Sequence, residues 1–234
     1  MPIITADDQV LTVINLFSTD SRYKQDHLIA EMRKIVDTAA FPGWISSTVH
    51  SGQDKPGTAN FIQWRSGEDL EARYAGDEFR HRTVPLFAEM TTWMKLLRTE
   101  ATFTQRHPSQ GEATEISPER DDYTVLEFFA TPEESRDDLV TALGPSQDWL
   151  LETPGYRSHS VLRGLGARGY DGAFAVMYSQ WDSKEAYDTF RTVPEGEQPA
   201  SRRATQARLS SLVTSSDWNS YRVVHTRSAA QPVS

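Results

Sequence analysis

The sequence predicts an α+β fold of two tandem ferredoxin-like units, and three observations carry that prediction. The first is an internal repeat: Val13-Ile14-Asn15-Leu16-Phe17 resembles Val125-Leu126-Glu127-Phe128-Phe129, and Phe41-Pro42-Gly43-Trp44 resembles Thr153-Pro154-Gly155-Tyr156, both at an offset of 112. The second is a further match, Gln63-Trp64-Arg65-Ser66-Gly67-Glu68 with Gln180-Trp181-Asp182-Ser183-Lys184-Glu185, at an offset of 117. The second half therefore carries five extra residues, assigned to 163–171. The third is a common order of periodicities, βαββααβ, on either side of a polar stretch bracketed by Pro108 and Pro118.

Each element follows from local pattern. Leu11, Val13, Asn15 and Phe17 alternate along a strand at 9–17, and Leu28, Ile29, Met32, Ile35 and Val36 mark one face of a helix at 21–39, capped by Asp20 or Ser21. Pro42-Gly43 then turns the chain into strands at 44–51 and 58–65, a hairpin closed by a Gly/Pro-rich turn. Ser66 and Asp69 begin a helix at 67–76, a second helix bent at Pro85 spans 78–92, and a strand at 95–106 ends the unit. The second unit repeats this as strand 122–130, helix 132–152 with Pro132 in its first turn, strands 156–163 and 172–181, helices 183–191 and 199–215, and strand 217–227. Expected boundaries are residues 1–107 for the first unit, 108–120 for a linker, 121–228 for the second unit and 229–234 for a tail. Each unit would leave one sheet face bare of helices, and the two bare faces would cover one another.

Composition removes several classes of function. With 24 Lys+Arg against 33 Asp+Glu, the net charge of −9 has the wrong sign for neutralising phosphates, so nucleic acid is not an expected partner. There is no Cys, which excludes thiol nucleophiles, disulfides and Cys-ligated metals. No apolar run approaches the ~18 residues of a spanning helix and the N-terminus lacks the pattern of a signal peptide, so no membrane association and a cytoplasmic location are expected. Gly164-Leu165-Gly166-Ala167-Arg168-Gly169 fits G-x-G-x-x-G, but a strand follows it where a dinucleotide site needs a helix; it reads as an inserted hairpin loop.

The chemistry-bearing stretch is Asn60-Phe61-Ile62-Gln63-Trp64. On a strand, Asn60 and Trp64 point the same way with Cα atoms about 13 Å apart, a span suited to a flat ligand of a few fused rings. Asn offers donor and acceptor together, Trp one N–H and a broad apolar plane. Asn15 on the first strand and His50 on the preceding strand of the hairpin can join them, Tyr74 and Arg82 on the following helices can contact a substrate, and no metal set is present. The bland readings are a core Trp, a packed Tyr74 and a solvated Arg80-His81-Arg82 face. Trp181 keeps the place of Trp64 in the second half, whereas Met177, Glu127 and Leu162 replace Asn60, Asn15 and His50.

These residues resemble the antibiotic biosynthesis monooxygenases of the dimeric α+β barrel superfamily, whose aromatic-polyketide branch carries Asn-x-x-x-Trp in its third strand. The likeness implies that the two units form an intrachain dimeric α+β barrel. It also implies a monooxygenase that oxidises an anthrone or naphthacenone to a quinone with O2. Asn60, Trp64 and His50 would be catalytic, with Asn15, Tyr74 and Arg82 binding substrate. No cofactor is implied, because the ionised substrate can reduce O2 itself. Reduced flavin would enter as a diffusible co-substrate in an alternative reading, oxidative ring opening of angucycline type. A third reading is a non-catalytic small-molecule binding or stress-response protein of the same fold. The likeness also leaves room for a homodimer of the tandem chain. Haem-degrading relatives carry an iron-binding His about ten residues after the Trp; Tyr74 stands there, with His81 the only nearby substitute.

Overall fold

A computed structural model describes residues 1–6 and 10–230. Eight strands are named here in chain order: β1 Leu11–Ser18, β2 Trp44–Gly52, β3 Gly57–Trp64, β4 Trp93–Arg106, β5 Tyr123–Thr131, β6 Tyr156–Arg168, β7 Ala173–Trp181 and β8 Ser215–Ser228. They close into one antiparallel barrel in the order β8-β2-β3-β1-β4-β6-β7-β5, with β5 pairing back to β8. The strands before the linker thus occupy one arc and those after it the other. The helices are α1 Arg22–Thr38, α2 Gly67–Ala75, α3 Val84–Met90, α4 Arg136–Leu143, α5 Lys184–Thr192 and α6 Ala200–Leu212.

Period-2 alternation sorts the side chains between two places. On β1, Ile14 and Leu16 point into the barrel, where they meet Phe61, Phe174, Val176 and Tyr178 from both arcs. Val13 and Phe17 point outward and pack beneath Leu28, Met32 and Val36 of α1. Full burial of such side chains contributes roughly 1.5–3 kcal/mol each. Ser21 caps α1 by accepting the Lys24 N–H, and Ser66 and Ser183 cap α2 and α5 in the same way.

Three local expectations are corrected. The segment 78–92 is a π-helical turn at Phe79–Thr83 leading into α3, with Pro85 in the first turn of α3. The helix expected at 132–152 breaks at Gly144-Pro145 into α4 and a 3-10 segment, Pro145–Glu152. Proline disfavours helix in the residue before it, and a Cβ on Gly144 would lie 2.9 Å from the Phe103 ring. The glycine-rich run at 164–169 is no loop: β6 continues to Arg168 and pairs with β4, Leu96 opposite Arg168 and Thr99 opposite Gly164. Gly166 takes φ 150° there, a value that favours glycine. Within 108–120, Thr114–Glu115 pairs with Ile3–Ile4 in a two-stranded sheet. Position 9 of the expected first strand and 231–234 of the expected tail lie outside the described residues. Among the described residues, no helix is long and apolar enough to cross a membrane.

Candidate functional site

The antiparallel register of β1 and β3 sets Asn15 directly opposite Asn60. Both side chains point out of the barrel, with Trp64 on the same face of β3, into a pocket covered by α1, α2 and the 79–87 segment. The pocket holds about 610 Å³ of atom-free space including its mouth, within the range of small-molecule sites. Its walls are apolar and aromatic, among them Met32, Phe41, Trp44, Ile62, Phe79 and Phe87.

Three polar atoms at the strand face of this pocket are buried without a hydrogen-bond partner: Asn15 Oδ1, Asn60 Oδ1 and Trp64 Nε1. Such groups cost about 1–3 kcal/mol each when nothing satisfies them, so their convergence points to a bound molecule. The comparison with Trp181 sharpens this. Its Nε1–H donates to Ser179 Oγ at 3.1 Å, whereas the position matching Ser179 in the repeat is Ile62, which accepts nothing. Of the two matched tryptophans, only Trp64 therefore leaves its indole N–H without a partner.

Tyr74 also reaches the pocket. Its ring stacks on Phe79 at 4.5 Å, and burial pushes its pKa up to about 12, so it stays neutral. Two residues that the sequence did not single out for the site complete the surroundings. The Arg73 guanidinium lines the pocket and lies 4.1 Å from the Phe41 ring centroid, with Phe41 stacked on Trp64 at 6.4 Å. Arg168, at the end of the extended β6, covers the Tyr74 ring at 4.4 Å while Glu71 holds it at 2.9 Å. The i, i+3 spacing of Leu70 and Arg73 on α2 was the available signal for Arg73; nothing local pointed to Arg168.

Two expected site residues are not brought to this pocket. His50 is fully buried inside the barrel, where Nε2 accepts from Tyr178 Oη at 2.9 Å and Nδ1 donates to the Ala59 carbonyl at 3.3 Å. The cause is a bulge: Trp44 pairs with Trp64 but Ser46 with Gln63, so the extra residue Ile45 reverses the facing of everything after it. Burial lowers the His50 pKa to about 4. Arg82 is exposed on the outer side of the π-helical turn, where its charge acts on Glu31. Phe79 and Thr83 take the inward positions of that turn. His81 is exposed as well, 3.8 Å from Asp77.

In the other half the matching positions form no such chamber. Glu127 stands opposite Met177, and Phe190, which replaces Arg73, stacks on Trp181 at 4.7 Å. Burial raises the Glu127 carboxyl to about 7, while Arg191, in the place of Tyr74, acts in the opposite direction. No group of three or more His, Cys, Asp or Glu among the described residues is placed to hold a metal ion.

No family model matches the chain, and no curated protein does. Among solved structures, an anthrone oxidase-like protein is 52% identical, with 99% of this chain and 98% of that one covered and a TM-score of 0.95. A protein from Fusobacterium nucleatum subsp. nucleatum described as a monooxygenase is 7% identical, with 94% of each chain covered and a TM-score of 0.59. A major regulator of staphylococcal pathogenesis is 12% identical, with 92% and 99% covered and a TM-score of 0.53. The last two share the fold alone.

Proposed function

The chain belongs to the antibiotic biosynthesis monooxygenase family of the dimeric α+β barrel superfamily, and from that premise we propose that it oxidises the ring methylene of a polycyclic aromatic polyketide, of anthrone or naphthacenone type, to a quinone carbonyl with O2. The carrying observation is the set of three partnerless polar atoms on Asn15, Asn60 and Trp64 at the face of an aromatic-walled pocket. The stoichiometry closes without a further reductant: CH2 and O2 give C=O and H2O, two C–H bonds breaking and the second oxygen atom leaving as water.

The residues divide the work by chemistry. Phe41 and Trp64, stacked on each other, present a flat apolar wall against which the fused rings lie, which fixes their orientation. An anthrone that has lost its methylene proton carries charge on its carbonyl oxygen. The Trp64 N–H and the Asn60 amide, which presents either its NH2 or its oxygen by turning over, meet that oxyanion and the neighbouring phenols. Tyr74 stays protonated and can donate as well. Of the lining residues only Arg73 and Tyr74 titrate, and neither is a base at neutral pH. The substrate's own acidity therefore drives ionisation, the Arg73 charge favours the anion, and the delocalised carbanion is the electron donor to O2. In this reading the two arcs are units 1–107 and 121–228 joined by 108–120, a dimeric barrel contained in one chain, and no resident cofactor is needed.

Incubation of the purified protein with 1,8-dihydroxyanthrone in air, following quinone formation against the uncatalysed rate, tests this. Acceleration without additives is expected, and its loss in Asn60→Ala and Trp64→Phe places the reaction in the pocket. Product formed only when reduced flavin is added replaces this reading with the flavin-assisted one, and none in either case leaves a binding protein.

A further inference from the structure

The second arc carries a groove of its own, separate from the pocket of Asn60 and Trp64. It lies among the 149–155 segment, α5 and the start of α6, with about 1330 Å³ of open space. Its floor is aromatic: Trp149 and Phe190 stack at 6.1 Å with their planes 23° apart.

Arg202 is the anomaly of this groove. It is only 5% exposed, and among the described residues no carboxylate lies within ion-pairing distance. One terminal nitrogen donates to the Phe190 carbonyl at 2.9 Å, and the guanidinium rests 4.2 Å from the Phe190 ring centroid. Its Nε is buried with no partner, and so is Nε1 of Trp149, whose ring lies 5.6 Å from the same guanidinium. Burial holds the Arg202 pKa below its ordinary value. Two unpaired donors on one aromatic floor are costly unless an acceptor meets them.

The rim limits what that acceptor can be. Glu152, Glu185 and Glu197 line it, and none is paired with a Lys or Arg among the described residues. Three carboxylates repel a multiply charged anion such as phosphate, and they accept hydrogen bonds from hydroxyl donors. A flat, uncharged ring system with a carbonyl at one edge and phenolic hydroxyls at another satisfies floor, donors and rim together.

We propose that this groove is a second binding site, specific for planar hydroxylated aromatic ketones and quinones, with the ligand carbonyl accepting from Arg202 Nε and Trp149 Nε1 and its hydroxyls donating to the rim carboxylates. It retains the mouth of the repeat while Phe190 and Trp181 fill the chamber behind it. The groove binds without reacting, since Glu127 and Met177 stand in place of the amides of Asn15 and Asn60.

Calorimetric titration of the full chain with 1,8-dihydroxyanthraquinone tests the proposal. Two equivalents per chain are expected in the native protein and in Asp26→Asn, a control exposed on α1 that lines neither site. Arg202→Leu should remove one equivalent, and Trp149→Phe, which keeps the ring and loses the N–H, should weaken the same one by about tenfold. Asn60→Ala with Trp64→Phe should remove the other and spare this one. Inorganic phosphate should not compete. A native stoichiometry that neither groove variant changes, or displacement by phosphate, overturns the assignment, whereas a single equivalent lost in Arg202→Leu upholds it and removes only the first pocket. If Arg202→Leu lowers the melting temperature sharply, Trp149→Phe decides. The stoichiometry reads independently of turnover, so absence of oxidase activity leaves the test intact.

Discussion

Asn15 and Asn60 face one another across the β1–β3 ladder, and the side-chain oxygen of each is buried without a hydrogen-bond partner. Cross-strand neighbours of this kind stand about 5 Å apart at Cβ, close enough to grip one edge of a ring system between them. Two amides so placed in a largely apolar pocket weaken the fold, and their retention is explained by a ligand that uses them.

Asn60→Leu follows directly. A side chain of similar size that asks for no hydrogen bond removes an unmet polar group, so the melting temperature should hold or rise while quinone formation falls by about 10²-fold, the usual loss for a donor at a developing oxyanion. Thermal unfolding beside turnover checks it; a protein that melts lower and reacts normally would make Asn60 a structural residue.

The two matched tryptophans should respond in opposite ways. Trp64→Phe loses an N–H that nothing in the protein uses, so turnover drops and stability barely moves. Trp181→Phe strands Ser179 Oγ and should cost about 1 kcal/mol with turnover kept. Paired denaturation and rate measurements separate them.

Acid stability should follow two histidines that lie outside the pocket. Burial lowers His50 and His159 to about 4, and each has its neutral tautomer satisfied, His159 by Tyr156 at 2.7 Å and by the Leu143 carbonyl at 3.1 Å. The unfolded chain takes up these protons near pH 6.5 and the native one only near pH 4, so stability is full above about 6.5 and falls as pH drops toward 4, by on the order of 3 kcal/mol per histidine. Urea midpoints from pH 4 to 8 should flatten in His50→Gln, and the pH profile of turnover should keep its shape in that variant.

Glu127 opposes this trend. Its carboxyl is raised to about 7 by burial, so the native state keeps a proton that the unfolded chain releases above about 4.5, and this contribution is lost as pH rises through 7. Glu127→Gln should therefore be more stable than the native protein at pH 8 and equal to it at pH 4, read from the same midpoints.

Arg168→Ala removes the cover from Tyr74 without touching the strand face. KM should rise several-fold with kcat changed little, in keeping with a cation–π contact of about 0.5–2 kcal/mol, and Arg168→Lys should recover part of the loss. A fall in kcat alone would instead place Arg168 in the chemistry.

The regular elements were legible because their periodicities are strong: α1 shows its face through Leu28, Met32 and Val36, and β1 alternates cleanly. The outward set of Asn15, Asn60 and Trp64 followed from parity alone. His50, expected beside them from the preceding strand, faces the barrel instead, since one bulged residue at Ile45 reverses every later side chain and leaves no local mark. Arg82 lies within the π-helical turn, whose wider winding turns Phe79 and Thr83 to the pocket and leaves Arg82 outside. Arg168 was out of reach for another reason: its neighbour Tyr74 lies far away in the chain, and the glycines that suggest a loop instead let β6 run close beside β4.

That reach of β6 has a consequence for heredity. Where two identical subunits make a barrel, every substitution is copied to both sides, so an arginine that helps one site is imposed on the other. Here the residue serving the Tyr74 side is written elsewhere in the same gene, and selection can adjust it once. Asymmetry between Asn60 and Met177 can then accumulate without a second locus, and each chain is expected to count as one reacting unit however many chains assemble.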